Sequence, residues 1–96
     1  MPFAIVLAPE AVEDLKRLKA VVRGAVKGAM ETHLRHEPEK TSRSRIKRLR
    51  GLSRPQYRLR VGDIRVFYDV AEGRVEVLAI VPKSETAAWL AQFGKL

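Results

Sequence analysis

Two segments joined by a tight glycine turn constrain the fold of this chain more than any other feature. Polar and apolar side chains alternate strictly over Tyr57–Val61, and Ile64–Val70 follows as a returning strand after only Gly62 and Asp63. A two-residue connection that contains glycine is typical of a tight β-hairpin. The pattern therefore predicts an antiparallel hairpin that has one apolar face and one arginine-rich face.

Helical spacing precedes this hairpin. Phe3–Leu7 is a short apolar run that predicts a buried strand, and apolar residues then recur at intervals of three and four from about residue 9 to 36. A break near Lys19–Val22 divides this stretch into a predicted helical hairpin. Glu39–Arg54 has little apolar content, so we expect it to be exposed and mostly irregular.

A third strand and a helix are predicted after the hairpin. Glu72-Gly73 is a second tight turn, and the apolar run Val75–Val81 follows it. Ser84 suits the N-cap of a helix that Gly94 would end. We expect one α+β domain over residues 1–96, in the order β-α-α-β-β-β-α. It comprises an N-terminal strand, a helical hairpin, a three-stranded antiparallel meander and a C-terminal helix, with helices covering one face.

Composition excludes several classes of protein. The chain has no cysteine and only two histidines, which excludes disulfides and cysteine catalysis and argues against a histidine-built zinc site. The first residues lack the basic start and long apolar run of a signal peptide. No apolar run approaches the roughly 20 residues that span a bilayer. We therefore expect a cytoplasmic protein with no membrane partner.

Positive charge is concentrated in one part of the chain. The net charge is +8, and ten of the 19 lysines and arginines lie between residues 40 and 65, where Asp63 is the only acid. Such a balance favours polyanionic partners: nucleic acid, an anionic membrane surface or an acidic protein. A merely solubilising surface usually mixes both signs, so the asymmetry favours a binding surface, with a solvated arginine-rich face as the alternative.

The hairpin register predicts where the arginines point. Around the two-residue turn, Arg60 lies opposite Arg65 and Arg58 lies opposite Phe67, all on one face. Facing arginines repel each other, and a phosphate between them would remove the repulsion. Phe67 could stack on a base, or a loop or the C-terminal segment could cover it. A one-residue slip would reverse the faces. His33, on an apolar helical stripe, is expected to be structural.

The middle of the chain resembles the central signature of the RelE/ParE toxins, first in Leu49-Arg50-Gly51 and then over Tyr57–Val70. The predicted order of elements is also similar to that family over essentially the whole chain. The resemblance implies that the protein, like RelE-like members, enters the ribosomal decoding site and cuts mRNA there. It also implies that a cognate antitoxin wraps and blocks the toxin.

The resemblance assigns roles to the arginines. Arg58 and Arg60 match two basic residues on the family's second strand, and Arg65 matches an arginine on its third. In RelE-like enzymes these positions contact phosphate or stabilise the transition state. Such enzymes commonly add a basic residue after the last strand, which Lys83 would supply, and a C-terminal tyrosine, which this chain lacks.

The expected reaction is attack of a ribose 2′-hydroxyl on the adjacent phosphate, with arginines stabilising the charged phosphorane. It requires no metal ion and no other cofactor. Arginine is a poor base because its pKa exceeds about 12, so the group that accepts the hydroxyl proton is unassigned.

The predicted site has four catalytic residues and a wider RNA-binding surface. The catalytic residues are Arg58, Arg60, Arg65 and Lys83, and Arg65 is expected to be exposed enough for Arg65→Ala to fold normally. The RNA-binding residues are Arg43, Arg45, Lys47, Arg48, Arg50, Arg54 and Phe67. The expected partners are an antitoxin, the ribosome and mRNA. The alternatives are a ParE-like protein that binds DNA gyrase without cutting RNA, and a non-catalytic RNA-binding or ribosome-binding module.

Overall fold

The computed structural model describes residues 1–96 and contains three α-helices and a five-stranded sheet. The α+β class and the order of the predicted elements are confirmed, and one short strand is added to them. No helix combines the length and the hydropathy that crossing a membrane requires. In chain order the elements are β1 (Ala4–Leu7), α1 (Pro9–Arg17), α2 (Ala20–Leu34), β2 (Ile46–Arg48), β3 (Tyr57–Val61), β4 (Ile64–Ala71), β5 (Arg74–Pro82), a 3-10 turn (Lys83–Glu85) and α3 (Thr86–Phe93).

The sheet has the strand order β1-β5-β4-β3-β2, with β1 parallel to β5 and the other neighbours antiparallel. The predicted hairpin register is confirmed, because Arg60 pairs with Arg65 and Arg58 with Phe67. Gly62 has a φ of 57°, and no residue other than glycine has a positive φ. This is the pattern of a type II′ turn, whose first central position favours glycine.

The short strand β2 lies inside the segment that the sequence predicts to be exposed and mostly irregular. Ile46 is 3% exposed and pairs with Leu59, so it adds an apolar side chain to the core. The sequence does not indicate this strand, because one buried isoleucine among basic residues is too short a pattern. β2 forms the free edge of the sheet beyond β3.

Helices α1 and α2 cover one face of the sheet. Pro9 occupies the first turn of α1, where its missing N–H costs nothing, and Glu10 lies at the positive end of the helix dipole. Leu18 and Lys19 are extended and separate the two helices, as predicted. A cluster of 14 buried residues lies between these helices and the sheet. We call this cluster the main core.

Helix α3 lies on the opposite face of the sheet, which corrects the prediction that the helices share one face. Its Trp89 and Leu90 pack against Phe67, Ala79 and Val81, which form a second, smaller cluster of buried residues. The meander therefore buries apolar side chains on both of its faces.

The ends of α3 differ in how far the sequence predicts them. Ser84 is not the N-cap: it is exposed within the 3-10 turn, and no side chain caps α3. Instead the Thr86 hydroxyl donates a hydrogen bond to the carbonyl oxygen of Lys83 at 2.9 Å. Gly94 ends the helix as predicted, and a Cβ there would lie only 2.5 Å from the carbonyl oxygen of Leu90.

A β-bulge changes which residues of β5 face the main core, from Val75 and Val77 before it to Ile80 after it. Along β4, the pairing jumps from Ala79 to Val77, so Leu78 has no partner. The extra residue resets the alternation of the strand. Asp14 of α1 accepts a hydrogen bond from the N–H of Ile80 at 3.0 Å, which ties the helix to the strand just beyond the bulge.

Candidate nucleic-acid interface

The arginine cluster consists of Arg58, Arg60 and Arg65, on the face of the hairpin that carries α3. Arg60 and Arg65 are direct cross-strand partners, and opposed Cβ atoms in such pairs lie about 4.5–5.5 Å apart. None of the six ion pairs of the chain includes a member of the cluster. Three like charges therefore meet without a carboxylate to neutralise them.

Arg58 carries an unpaired donor inside the protein. Its Nε is the only buried side-chain nitrogen or oxygen that has no hydrogen-bond partner. Burial lowers the pKa of the Arg58 guanidinium below its ordinary value, and the charges of Arg65 and Arg60 lower it further. An unsatisfied buried donor costs about 1–3 kcal/mol, and a charged one more. An anion that accepted a hydrogen bond from this nitrogen would relieve both the repulsion and the missing bond.

Arg65 is buried, which corrects the expectation that it is exposed. It is 6% exposed. Its guanidinium Nη1 donates to the carbonyl oxygen of Gly62 at 2.9 Å and to that of Ile64 at 3.1 Å. The side chain is therefore held against its own hairpin turn, opposite Arg60. Because Arg65→Ala removes these contacts, the substitution is expected to disturb the hairpin as well as the charge.

Phe67 is covered, so its ring is not presented to a base. It is 1% exposed, and it stacks on Trp89 with the ring centroids 5.0 Å apart and the planes 4° apart. Leu49 and Leu90 pack against the same cluster. The sequence leaves two alternatives for this ring: stacking on a base, or cover by another part of the chain. The C-terminal segment covers it, so the predicted contact of Phe67 with RNA does not fit the structure.

Two further basic residues lie beside the arginine cluster. Lys47 pairs with Arg58 across β2 and β3, so its exposed side chain extends the same face toward the edge of the sheet. Lys83 is exposed just beyond β5, and its backbone N–H donates to the carbonyl oxygen of Asp63 at 2.8 Å. This bond sets Lys83 next to the hairpin turn, at the end of the sheet where Arg60 and Arg65 meet.

Two of the predicted RNA-binding arginines are engaged elsewhere. The guanidinium of Arg48 lies 5.0 Å from the centroid of the Tyr57 ring, which belongs to the main core. Arg54 pairs with Asp69, with 3.5 Å between Nε and the carboxylate oxygen. Arg54 is paired with a carboxylate and Arg48 lies over a ring of the main core, so neither arginine joins the cluster.

The other three predicted RNA-binding arginines surround β2. Arg43 and Arg50 are exposed on the loops that flank the strand. Arg45 precedes the strand, and its Nη1 lies 2.7 Å from Nε2 of His33 on α2. His33, expected to be purely structural, is therefore half-exposed at the edge of the sheet and contacts a predicted RNA-binding residue.

Both tyrosines face the main core. Tyr57 and Tyr68 stack with their centroids 5.5 Å apart, and the Tyr68 hydroxyl donates to the carbonyl oxygen of Pro38 at 2.6 Å. Burial raises the pKa of Tyr68 far above its ordinary value. Neither hydroxyl is in a position to exchange a proton at the arginine cluster.

A cavity of about 620 Å³ is separate from this cluster and lies between α1 and α3. Its charged walls are mostly neutralised by contacts within the fold, since Glu13 pairs with Lys16, Asp14 with Arg17 and Arg54 with Asp69. Size alone therefore does not identify the site; the unpaired charge lies on the hairpin.

Two features of this surface differ in how well the sequence signals them. The contact between His33 and Arg45 joins different elements, so no local pattern indicates it. The burial of Phe67 does have a signal: Val77–Val81 is apolar without alternation, and such a run is typical of a strand that is buried on both faces.

The chain matches the family of the ParE toxin of the type II toxin–antitoxin system parDE over residues 5–87. This chain belongs to that family. The resemblance of its central segment to the RelE/ParE toxins is thereby confirmed, and the whole arginine cluster of the toxin lies within the matched residues. No individually curated protein sequence matches the chain.

Solved toxin–antitoxin complexes contain the same fold at low sequence identity. One chain of the RelB–RelE complex of Methanococcus jannaschii aligns with a TM-score of 0.66 at 20% identity, over 88% of this chain and 96% of that chain. The RelBE2 complex of Mycobacterium tuberculosis gives 0.73 at 23% identity, over 85% and 99%. The RelE–RelB complex of Pyrococcus horikoshii gives 0.70 at 23% identity, over 86% and 97%.

Proposed function

We propose that this toxin is a metal-independent, ribosome-dependent mRNA endoribonuclease that binds the scissile phosphate at the arginine cluster. The observation that carries the proposal is the buried Nε of Arg58, which has no partner and lies beside Arg60 and Arg65. A phosphate diester offers both the negative charge and the acceptor oxygens that this arrangement lacks. The planar guanidinium fork also matches the spacing of phosphate oxygens.

The arginines would act on charge rather than on protons. As the 2′-oxygen bonds to phosphorus and the bond to the 5′-oxygen breaks, negative charge develops on the remaining phosphate oxygens, and cations that are already in place stabilise it. Arg65 is anchored to the hairpin turn, whereas Arg60 opposite it is exposed. One cation is therefore fixed before substrate binds, and the other can approach it. Lys83, at the same end of the sheet, would add charge near the departing oxygen.

Proton transfer has no clear donor or acceptor on this face apart from Lys83. Both tyrosines belong to the main core, and arginine is a poor base. We therefore expect groups of the ribosome to complete the reaction, so that the isolated toxin leaves naked RNA intact. An action that depends on ribosomes also implies a cytoplasmic protein.

An antitoxin is the second partner that we propose. The three similar solved structures are each a toxin bound to an antitoxin. Exposed Arg60 and Lys47 would pair with carboxylates of an acidic or amphipathic antitoxin segment, which would exclude RNA from the same face. Removal of the antitoxin is then expected to switch the activity on. Failure of any acidic protein to co-purify from the native host would count against this partner.

The proposal is tested by an in vitro translation reaction with purified toxin, scored by primer extension on the mRNA. We expect discrete cleavage that requires ribosomes and falls roughly 100-fold in Arg60→Ala, as when one charge-stabilising donor is lost. Arg60 is exposed, so the variant should fold. Arg74→Ala is the charge-matched control, since Arg74 is exposed at the opposite end of the β4–β5 pair. Equal cleavage by both variants would reject the arginine cluster as the site.

A ParE-like inhibitor of DNA gyrase is the second candidate. Two observations favour it: the matched family is named for the ParE toxin, and no tyrosine lies on the arginine face. Under this reading the arginine cluster binds an acidic protein surface. Intact mRNA in the translation reaction, together with inhibited supercoiling by purified gyrase, would favour this candidate. Ribosome binding with neither effect would leave a non-catalytic module.

A further inference from the structure

A second polar pocket lies at the β2 edge of the sheet, close to the arginine cluster. Its volume is about 240 Å³, and its walls come from the last turn of α2 and from the loop that leads into β2. Its polar side chains include His33, Glu37, Lys40, Ser42 and Arg45, and Ile46 is the only hydrophobic residue in the lining. The large cavity between α1 and α3 has four hydrophobic residues in its lining, so this pocket is the more polar of the two.

The contact between Arg45 and His33 leaves the charge of Arg45 uncompensated. Arginine has no acceptor atom, so across the 2.7 Å contact Nη1 of Arg45 donates and Nε2 of His33 accepts. The imidazole must then be neutral, with its proton on Nδ1. Burial lowers the pKa of His33, and the charge of Arg45 lowers it further. A neutral acceptor satisfies one donor of Arg45 and none of its charge.

The rest of the pocket adds donors but no net charge, so the charge of Arg45 is the one without a counter-ion. Ser42 Oγ accepts the N–H groups of Arg45 and Ile46 at 3.0 and 3.2 Å, which leaves its own proton for a ligand. The charged groups that face His33 are Arg45, Lys40 and Glu37. Glu37 forms an ion pair with Lys40, with 3.6 Å between Oε2 and Nζ. The carboxyl end of α2 contributes some negative potential, so the anion's contacts would come from the loop rather than from the helix.

We propose that this pocket binds a second phosphate of the RNA strand whose scissile phosphate lies at the arginine cluster; the inference rests on the function proposed above. The two sites share the sheet edge, because the carbonyl oxygen of Arg45 accepts the backbone N–H of Arg60 at 2.8 Å. Lys47 of β2 pairs with Arg58, so it extends the face of the cluster to that edge. A phosphate bound here would position the RNA strand. It would confer no base preference, since the contacts are to phosphate oxygens and not to bases.

Phosphate binding should change the protonation of His33. An anion that accepts from Arg45 removes the donor that holds Nε2 unprotonated, and its negative charge stabilises the imidazolium. The pKa of His33 therefore rises on binding. By linkage, the affinity for phosphate rises as the pH falls through that pKa.

The test is an NMR titration of His33 in the full chain, with and without a 2′-O-methyl tetranucleotide, which binds as RNA but lacks the attacking hydroxyl. We expect the pKa of His33 to rise with the oligonucleotide; His33→Gln identifies its signal. Arg45→Ala should weaken binding about tenfold and reduce the slope of log affinity against log salt by about 0.7. Arg74→Ala should change neither.

The outcomes separate this inference from the proposed function. If Arg60→Ala weakens oligonucleotide binding while the pKa of His33 does not move and Arg45→Ala binds normally, the pocket is not a phosphate site and the arginine cluster stands. If inorganic phosphate raises the pKa of His33 and the oligonucleotide does not, the pocket takes a free anion and the RNA assignment is overturned. If His33 responds to the oligonucleotide but Arg60→Ala binds and cleaves normally, the pocket stands and the cluster is rejected.

Discussion

On the α1–α2 side of the sheet, alternate residues of β3 and β4 enter a cluster of 14 buried residues. On the other side, the intervening residues of the same two strands include three arginines, and the apolar cluster there has only three buried members. The two faces are built from one hairpin and one turn. The two faces differ in what covers them. Helices α1 and α2 cover the first face, whereas part of the second face has a polar group without a partner inside the protein.

The comparison indicates that the stability of the fold depends mainly on the first face. Leu59, Val66 and Tyr68 have no exposed surface on the first face. On the second face, Arg58 keeps a buried nitrogen without a partner. A fold optimised only for stability would replace that arginine with an apolar side chain, because uncompensated buried charge is destabilising. An arginine with an unpaired donor at this position fits a surface that meets an anion.

Leu59→Ala is the strongest test of the first face. Leu59 has no exposed surface and pairs with Ile46 of the edge strand, so truncation leaves a cavity that the sheet cannot close. We expect a loss of about 2–5 kcal/mol in the free energy of unfolding, measured by urea denaturation. Val61→Ala, in the same strand but only half-buried, is the matched control and should cost clearly less. Equal losses would mean that burial does not distinguish these positions.

Arg58→Met is the converse test on the second face. The substitution keeps an unbranched side chain of similar length, and it removes the repulsion and the unpaired nitrogen. We expect stability to stay the same or to rise by about 1 kcal/mol, while ribosome-dependent cleavage falls roughly 100- to 1,000-fold. Denaturation and primer extension on one preparation would measure both. A clear loss of stability would show that Arg58 serves the fold, and the contrast between the faces would fail.

Trp89→Ala tests the part of the second face that is covered. The ring stacks on Phe67 at 5.0 Å but is itself only half-buried, so we expect a loss of about 2 kcal/mol, less than for a fully buried aromatic residue. Phe93, 51% exposed, supplies the control in Phe93→Ala, which should cost little. A loss as large as that of Leu59→Ala would make the second face a core in its own right.

The hairpin illustrates how much of this arrangement the sequence predicts. Register follows from Gly62 and Asp63 with strict alternation, because a two-residue turn fixes pairing locally. The positions of Arg58 and Arg60 on one face follow from that register and are confirmed. Alternation cannot predict how deeply a side chain is buried. Arg65 is buried because its guanidinium turns back to the carbonyl oxygens of its own turn, a side-chain conformation that no spacing encodes.

Contacts between distant elements account for the other errors. Alternation predicts which side of the strand Phe67 occupies, but Trp89 covers it from 22 positions away. β2 has three residues, and its only apolar side chain is Ile46, so it exists through pairing with β3 rather than through a pattern of its own. The bulge at Leu78 likewise depends on the partner strand. These features require tertiary packing, which a single sequence expresses only weakly.

The smallest effect that we expect is a dependence of stability on pH at the edge between the two faces. Burial and Arg45 lower the pKa of His33 in the folded chain, so between that value and the ordinary value of about 6.5 the unfolded chain binds more protons. Stability contributed by neutral His33 is therefore complete above about pH 6.5 and is lost as the pH falls toward the folded pKa.

Subtracting the pH profile of His33→Gln from that of the unchanged chain isolates this term, because carboxylates titrate in both. The difference should be flat above neutral pH and should decline below it. In saturating phosphate the decline should shrink, since an anion beside Arg45 favours the charged imidazole. A difference that does not depend on pH would mean that His33 titrates in the folded chain as it does in the unfolded one. Arg45 would then have no effect on the pKa of His33, and a phosphate bound to Arg45 would not be expected to change that pKa.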